Sequence, residues 1–471
     1  MEQAPRHQAD YDFEREGVLF LGGDCDHGSV PEDTWQAQRS ELMVKGGPGE
    51  DHLLPPHAIL PETFNPIPEE TPPGYRTEAA NNPPPTEQEV LGRVNDPDRR
   101  YEILNRITGM QADLLDAEDE EEWLDRLYRY KRDCLLIAKD DFSIGTNVIT
   151  GNEQNPKLAK GAKHKWVAEG LSFLPHTLAG VGNLCPYRSP ACTLNCLNKS
   201  GHAELGETLE RNFQIEARQR RSLLFYHYPD IFYMRLVVRI TQRMNEVDVG
   251  RYAFRPNMLS DISWEDLKFF NPWARAEGTL IGSVETQFYD YTKNPARYQR
   301  FLFGDFPGNY HLTYSLSEVN ALYAFYALAH GGSITVVFDA EPPTYGFRPR
   351  PAEPLPDTFC GYRVVDGDES DLRFLDREMF GIPAREGFVV GLRLKGRKHR
   401  QRHFDMKEKG VESGFIFDNG SEYDEESVIR RSEDARSQVR KLGDVPGYRE
   451  KSFVGFPPDM VPMLTQWERG R

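Results

Sequence analysis

The sequence predicts an α/β fold over residues 166–400, a β/α barrel-like domain that is either partial or open. Three observations predict it. From Leu171 onward, short β-rich runs alternate with helical stretches, the pattern of a parallel sheet with helical crossovers. The runs, at 252–254, 286–291, 310–315, 334–338, 362–365 and 389–394, are rich in Val, Ile, Tyr and Phe. Each run also ends on polar residues, and in folds of this kind ligands bind at the carboxyl ends of the strands. An open doubly wound sheet fits the alternation almost as well, because no glycine-rich dinucleotide fingerprint decides between the two.

The elements follow in chain order. Residues 1–97 read as an extended, irregular arm: ten prolines fall between Pro55 and Pro85, and each removes a donor and fixes φ. Residues 98–165 form a helical segment. Ile103, Leu104, Ile107, Met110, Leu114 and Leu115 make one stripe at helical spacing, and Trp123, Leu124, Leu127 and Tyr130 make another. Two helices are expected, split near the acidic run at 118–122, which reads as a solvated face. Within the main domain, helices are expected at 213–226, 229–245, 264–270, 294–303 and 316–329. The charged extension at 401–471 is expected to hold one exposed helix.

Composition excludes several classes. A formal net charge of −17 argues against a protein that coats nucleic acid through bulk electrostatics, while leaving room for a local basic groove. No run of eighteen apolar residues occurs, so no membrane span is expected. The polar start of the chain carries no hydrophobic signal region, which points to the cytoplasm. Six cysteines in 471 residues are too few for a disulfide scaffold.

The polar residues that close each strand are the candidate pocket. They are Arg255, Asn257, Ser260 and Asp261 after the first run, then Tyr289, Asp290, Thr292 and Lys293 after the second. Thr313, Ser315, Ser317 and Glu318 follow the third, with Asp339, then Asp366, Asp368 and Asp371, and finally Lys395 and Arg397. Some of these also read as caps, Ser260-Asp261 and Ser315 and Ser317 above all. Caps do not call for Arg255, Lys293 and Lys395. Asp290, Lys293 and Glu318 are the candidate acids and bases.

The strongest chemical signal is Cys185, Cys192 and Cys196, spaced Cys-x6-Cys-x3-Cys in a proline-containing loop. Thiolates are soft ligands suited to zinc or iron–sulfur clusters. Three cysteines on a [4Fe-4S] cluster leave one iron open, the arrangement that radical chemistry with S-adenosylmethionine requires. The spacing differs from the usual Cys-x3-Cys-x2-Cys at both intervals. Structural zinc is the alternative, with His202 or Cys360 as a fourth ligand. Buried thiols or a redox bridge would need no metal at all. The motif Asp24-Cys25-Asp26-His27 reads as a turn.

Cys192-Thr-Leu-Asn-Cys196-Leu-Asn-Lys-Ser-Gly201, Arg255-Pro-Asn257 and Ser260-Asp261-Ile-Ser-Trp264-Glu265 resemble the phage gene-product-eighty-eight family. So do Phe288-Tyr-Asp-Tyr-Thr-Lys293, Asn309-Tyr-His-Leu-Thr-Tyr-Ser-Leu-Ser-Glu318, Gly361-Tyr-Arg-Val-Val-Asp-Gly-Asp368 and Val390-Gly-Leu-Arg-Leu-Lys-Gly396, in order, over about half the chain. Arg255-Pro-Asn257 departs from the family, which more often has Leu between Arg and Asn. The resemblance implies a virus- or prophage-encoded protein in its host cell and supplies no mechanism.

Three functions compete. The first is a radical-S-adenosylmethionine-like enzyme acting on a small-molecule or nucleotide substrate. The second is a replication or recombination factor that binds single-stranded DNA. Six basic residues in positions 393–402, and Arg218, Arg220 and Arg221, motivate it. The third is a zinc-stapled structural or interaction protein.

Overall fold

The computed structural model describes residue 92 and residues 96–441, apart from 152–154, 156, 177, 182, 200–211, 248–250, 344–349 and 409–413. The proline-rich stretch, the motif at 24–27 and His202 lie outside the described residues.

Two helices open the described chain, as the two stripes predict. Helix α1 (Pro97–Leu115) starts on Asp96, whose side chain accepts from the Asp98 and Arg99 N–H groups. Helix α2 (Glu120–Asp140) starts on Asp119 and carries Glu120, Glu121 and Glu122 in its first turn, where carboxylates suit the helix dipole.

The first strand, β1 (Val167–Gly170), lies just before the expected alternation begins. Its central Glu169 hid it. That carboxylate is buried and held by Arg243 at 3.0 Å and the Tyr252 hydroxyl at 2.8 Å. After a long loop and the short helix α3 (Pro190–Leu194) come α4 (Phe213–His227) and α5 (Pro229–Glu246), both close to expectation. Helix α2 packs on α5.

Strand β2 (Tyr252–Arg255) follows. The helix expected at 264–270 is not formed. Trp264 sits in a turn, and β3 (Phe269–Asn271) pairs antiparallel with β4 (Ala276–Gly278). Tertiary packing decides this. The Trp264 indole donates to Asn257 Oδ1 at 3.2 Å and packs against Phe173 and Phe225, while Phe269 stacks on Tyr233 at 4.9 Å.

Helix α6 (Leu280–Ser283), β5 (Gln287–Thr292), α7 (Pro295–Leu302), β6 (Tyr310–Ser315), α8 (Ala321–Ala329) and β7 (Ser333–Phe338) continue the alternation. Helix α8 starts five residues later than expected because Asn320 folds 316–320 into a turn. Its side chain bonds Ser317 N at 2.7 Å and Ser315 O at 3.0 Å. The hairpin β8 (Thr358–Phe359) and β9 (Tyr362–Asp366), helix α9 (Asp376–Phe380) and β10 (Phe388–Arg393) come next. The basic run forms helix α10 (Arg397–Glu408), then β11 (Ile416–Phe417) pairs parallel with β7. The last element, α11 (Glu425–Lys441), is the expected tail helix, with one face covered: Val428 and Ser432 are buried, and Ser432 accepts from Ala321 N at 3.3 Å.

The sheet order is β1-β2-β5-β6-β7-β10-β9-β8, parallel except at the β8–β9 hairpin, and the sheet is not closed. Apart from the separate β3–β4 hairpin, the strands from β1 to β7 sit side by side in chain order, so the open, partial form of the expected barrel is the one formed. Side chains alternate between the faces. Tyr252, Phe254 and Phe288 join the main core, whereas Ala168, Ala253 and Tyr289 meet Leu158 and Leu372 on the inner face. On a flat sheet β1 and β9 would stand six spacings apart, about 29 Å. Yet Phe374, eight residues after β9, lies 4.9 Å from the Trp166 ring beside β1. The sheet therefore curves, and the segment 370–376 fills its inner face.

Gly387 abuts the Leu328 carbonyl so closely that a Cβ there would overlap it. Gly387→Ala is expected to destabilise the fold by about 1–3 kcal/mol. Gly420→Ala, with open space around it, should stay within about 0.5 kcal/mol. Urea unfolding of the two variants checks the contrast.

Candidate functional site

The loop after β1 carries the three thiols to the carboxyl ends of the strands. Cys185 Sγ accepts from His176 N at 3.4 Å and donates to Leu259 O at 3.3 Å, which ties it to the loop after β2. Ser189 caps α3 by accepting from Cys192 N at 3.2 Å. Cys185, Cys192 and Cys196 are all free thiols, each partly buried. Burial pushes the Cys185 thiol well above its usual range, and Cys196 and Cys192 add to the shift, so the three sulfurs feel one another. Burial likewise pushes Cys196 up to about 11; Cys192 adds to this, and Lys293 and Arg218 pull it back.

Lys293, at the end of β5, faces these thiols. Its Nζ donates to Ser315 Oγ at 2.9 Å and lies 5.7 Å from the centre of the Phe415 ring. Burial works against its charge, but Cys192, Asp261, Glu318 and Cys185 outweigh burial and hold the ammonium above its ordinary value. Glu318 binds the loop itself. Its two oxygens accept from Ser189 Oγ at 2.6 Å and Ala191 N at 2.7 Å. Burial still holds its carboxyl above the usual carboxylate range against these donors.

Asn257, Ser260, Asp261 and Asp290 build the scaffold under this group. Asn257 Oδ1 accepts from Ser260 Oγ at 2.8 Å and Ile262 N at 3.0 Å. Asp290 accepts from Asn257 N, Asn257 Nδ2 and the Tyr310 hydroxyl at 3.0, 2.8 and 2.6 Å. Burial still pushes Asp290 up to about 7. Asp261 accepts from Thr292 Oγ1 at 2.8 Å and Lys293 N at 2.9 Å, and its own N–H donates to Leu184 O. These side chains lock the loops after β1, β2 and β5 together.

Most of the remaining expected residues gather in a second group, while Asp339, after β7, stands apart from both. Arg255 pairs with Asp371 at 3.1 Å and lies over the Tyr291 ring at 4.4 Å, and the Tyr289 hydroxyl reaches the same carboxylate at 3.3 Å. Asp366 holds Arg393 at 2.8 Å, and Asp368 holds Arg393 N and the Lys395 ammonium. Thr313 Oγ1, the Tyr291 hydroxyl and both oxygens of Asp376 are buried without a hydrogen-bond partner among the described residues, although Asp376 keeps an ion pair to Arg373 at 3.1 Å. The thiol group thus draws on the loops after β1, β2, β5 and β6. The carboxylate–cation group draws on β2, β5, β9 and β10.

Lys157 and Ser189 were not singled out from sequence. Lys157 precedes β1, and its charged neighbours Asp368, Asp371 and Lys395 lie more than two hundred residues onward, so no local pattern marks it. Ser189 carried a local signal, as an N-cap before Pro190. Cys360 does not join the thiols. It occupies the β8–β9 turn at φ 50°, before the first residue of β9, and so lies at the opposite end of the parallel sheet from a loop that follows β1. A tetrahedral zinc at about 2.3 Å from each sulfur would need its sulfurs about 3.8 Å apart. The group of three ligating residues found within 4.8 Å of one another among the described residues is Asp339, His403 and Asp418, not the three cysteines. Sulfurs on separate irons of a cluster stand farther apart than sulfurs on one zinc.

The model of the family described as Gene product 88 matches residues 148–408, which spans β1 to α10 and contains the three cysteines, Lys293 and Glu318. No curated protein and no solved structure matches the chain.

Burial, and then repulsion from Lys395, lower Lys157 to about 7. Between there and its ordinary value the unfolded chain binds the proton more tightly, so Lys157 makes the fold more stable as pH rises through that window. A 13C-methyl label on Lys157 should titrate near pH 7, while exposed lysines titrate above about 10. A midpoint for Lys157 in the range of the exposed lysines would contradict this.

Proposed function

The chain belongs to the gene product 88 family, and we propose that this member is a metal–thiolate enzyme in which Cys185, Cys192 and Cys196 hold a [4Fe-4S] cluster at the mouth of the curved sheet. The observation that carries the reading is a connected group at the strand ends: Cys185 bonds Leu259 O after β2, Glu318 and Ser189 hold the helix that carries Cys192, and Lys293 bonds Ser315 after β6. Buried thiols whose pKa is raised are poor nucleophiles on their own. They suit a bound cation, whose charge favours the thiolate form. Three protein ligands leave one iron for S-adenosylmethionine, and such a cluster supplies the one-electron reduction that starts radical chemistry.

The chain's own residues then have defined tasks. Glu318 and Ser189 fix the start of α3 and hence the direction of Cys192. Lys293 offsets the negative charge that three thiolates bring into a partly buried site. The run that suggested single-stranded DNA binding is largely committed within the fold: Arg393 is buried on Asp366, Lys395 pairs with Asp368, and Arg400 with Glu341 at 3.0 Å.

Anaerobic reconstitution of the full chain is expected to load about four irons and about four sulfides, with visible charge-transfer absorption. Cys192→Ala should abolish it. Glu318→Ala should reduce loading several-fold while the far-ultraviolet circular dichroism stays that of the parent. One zinc and no iron per chain would overturn the reading in favour of a structural site.

A further inference from the structure

Away from the thiols, Asp339, His403 and Asp418 bring one nitrogen and two carboxylate oxygens within 4.8 Å of one another. Three elements contribute: Asp339 follows β7, His403 stands on α10 and Asp418 follows β11. His403 is only 8% exposed, and among the described residues its Nε2 has no hydrogen-bond partner although it lies 3.5 Å from Asp339 Oδ2. A buried imidazole nitrogen aimed between two carboxylates is a ligand set rather than a surface acidic patch. The Lys407 ammonium, one turn beyond His403, sits on both carboxylates at 3.2 and 2.8 Å. The site therefore already selects a cation. Lys407 is half exposed on a flexible stem and can swing to solvent.

We propose that Asp339, His403 and Asp418 form a second metal site, for a divalent first-row ion of the manganese or zinc class, which binds by displacing Lys407. Two carboxylates neutralise a divalent charge, so the ammonium becomes surplus once the ion enters. Imidazole with carboxylate suits these ions better than it suits calcium or magnesium. Such an ion fixes β11 and α10 to the end of β7. The segment just before β11 lies over the thiol group, with Gly414 against Glu318 and Phe415 over Lys293. The ion would thus clamp the cover of that pocket. The site stands independently of what the cysteines bind.

Manganese is the probe, because it favours oxygen and imidazole ligands over thiolate. Titrating the metal-free full chain with Mn2+, and following the free-ion electron paramagnetic resonance signal, should show one ion bound per chain. His403→Ala should weaken binding at least about tenfold, and Lys407→Met should tighten it about tenfold by removing the competing cation. A gain of affinity cannot come from a misfolded variant. Mn2+ that stays free beside the parent chain, or a Lys407→Met chain that binds no more tightly than the parent, would overturn the proposal.

Discussion

The Asp371 carboxylate meets the Arg255 guanidinium at 3.1 Å inside the curve of the sheet, and the placement of the candidate site depends on that contact. Arg255 ends β2, while Asp371 follows β9 on the far side of the sheet order. Both groups are buried, and the Tyr289 hydroxyl joins them from β5. Such a pair adds little net stability over an apolar filling, but leaving either member alone costs about 3–5 kcal/mol. It therefore specifies which segment fills the inner face. With 370–376 in place, an open sheet acquires a closed floor without closing its strands.

Above that floor, the loops after β1, β2, β5 and β6 are held to one another by side chains more than by regular structure. Asn257 and Asp261 organise the second loop, Asp290 anchors it to the strand, and Glu318 reaches back to the first. Asn257, Asp290 and Glu318 are buried and Asp261 is half-buried, each with its partners in place, which is how a loop region gains a single conformation. The thiols and Lys293 ride on this frame. Asp290 and Glu318, which read as candidate acids or bases in the sequence, each accept from neighbours on both oxygens.

Six strands were legible to within about a residue at either end, because apolar alternation at strand ends is a local property. Strand β1 was not, since a buried glutamate interrupts it and only Arg243 and Tyr252 explain that glutamate. Trp264 misled for a related reason. Its neighbourhood reads as a capped helix, and long-range packing with Phe173 and Phe225 makes it a turn. At the site, Cys185, Cys192, Cys196, Lys293 and Glu318 were chosen from residue type and position at strand ends, and the fold brings them together. Asp366, Asp368 and Lys395 were grouped with them but lie in the other cluster, because strand order β7-β10-β9 is not written in sequence order. His403 was lost within a run read only for its positive charge, and nothing local points from it to Asp339 and Asp418.

Iron-edge and zinc-edge X-ray absorption on the full chain, isolated without oxygen and without added metal, tests whether the three thiols share one cluster. Iron surrounded by sulfur with a short iron–iron shell, lost together when Cys185 is replaced, is the expected result. A zinc edge with sulfur ligands and no iron signal would show instead that they hold a single zinc.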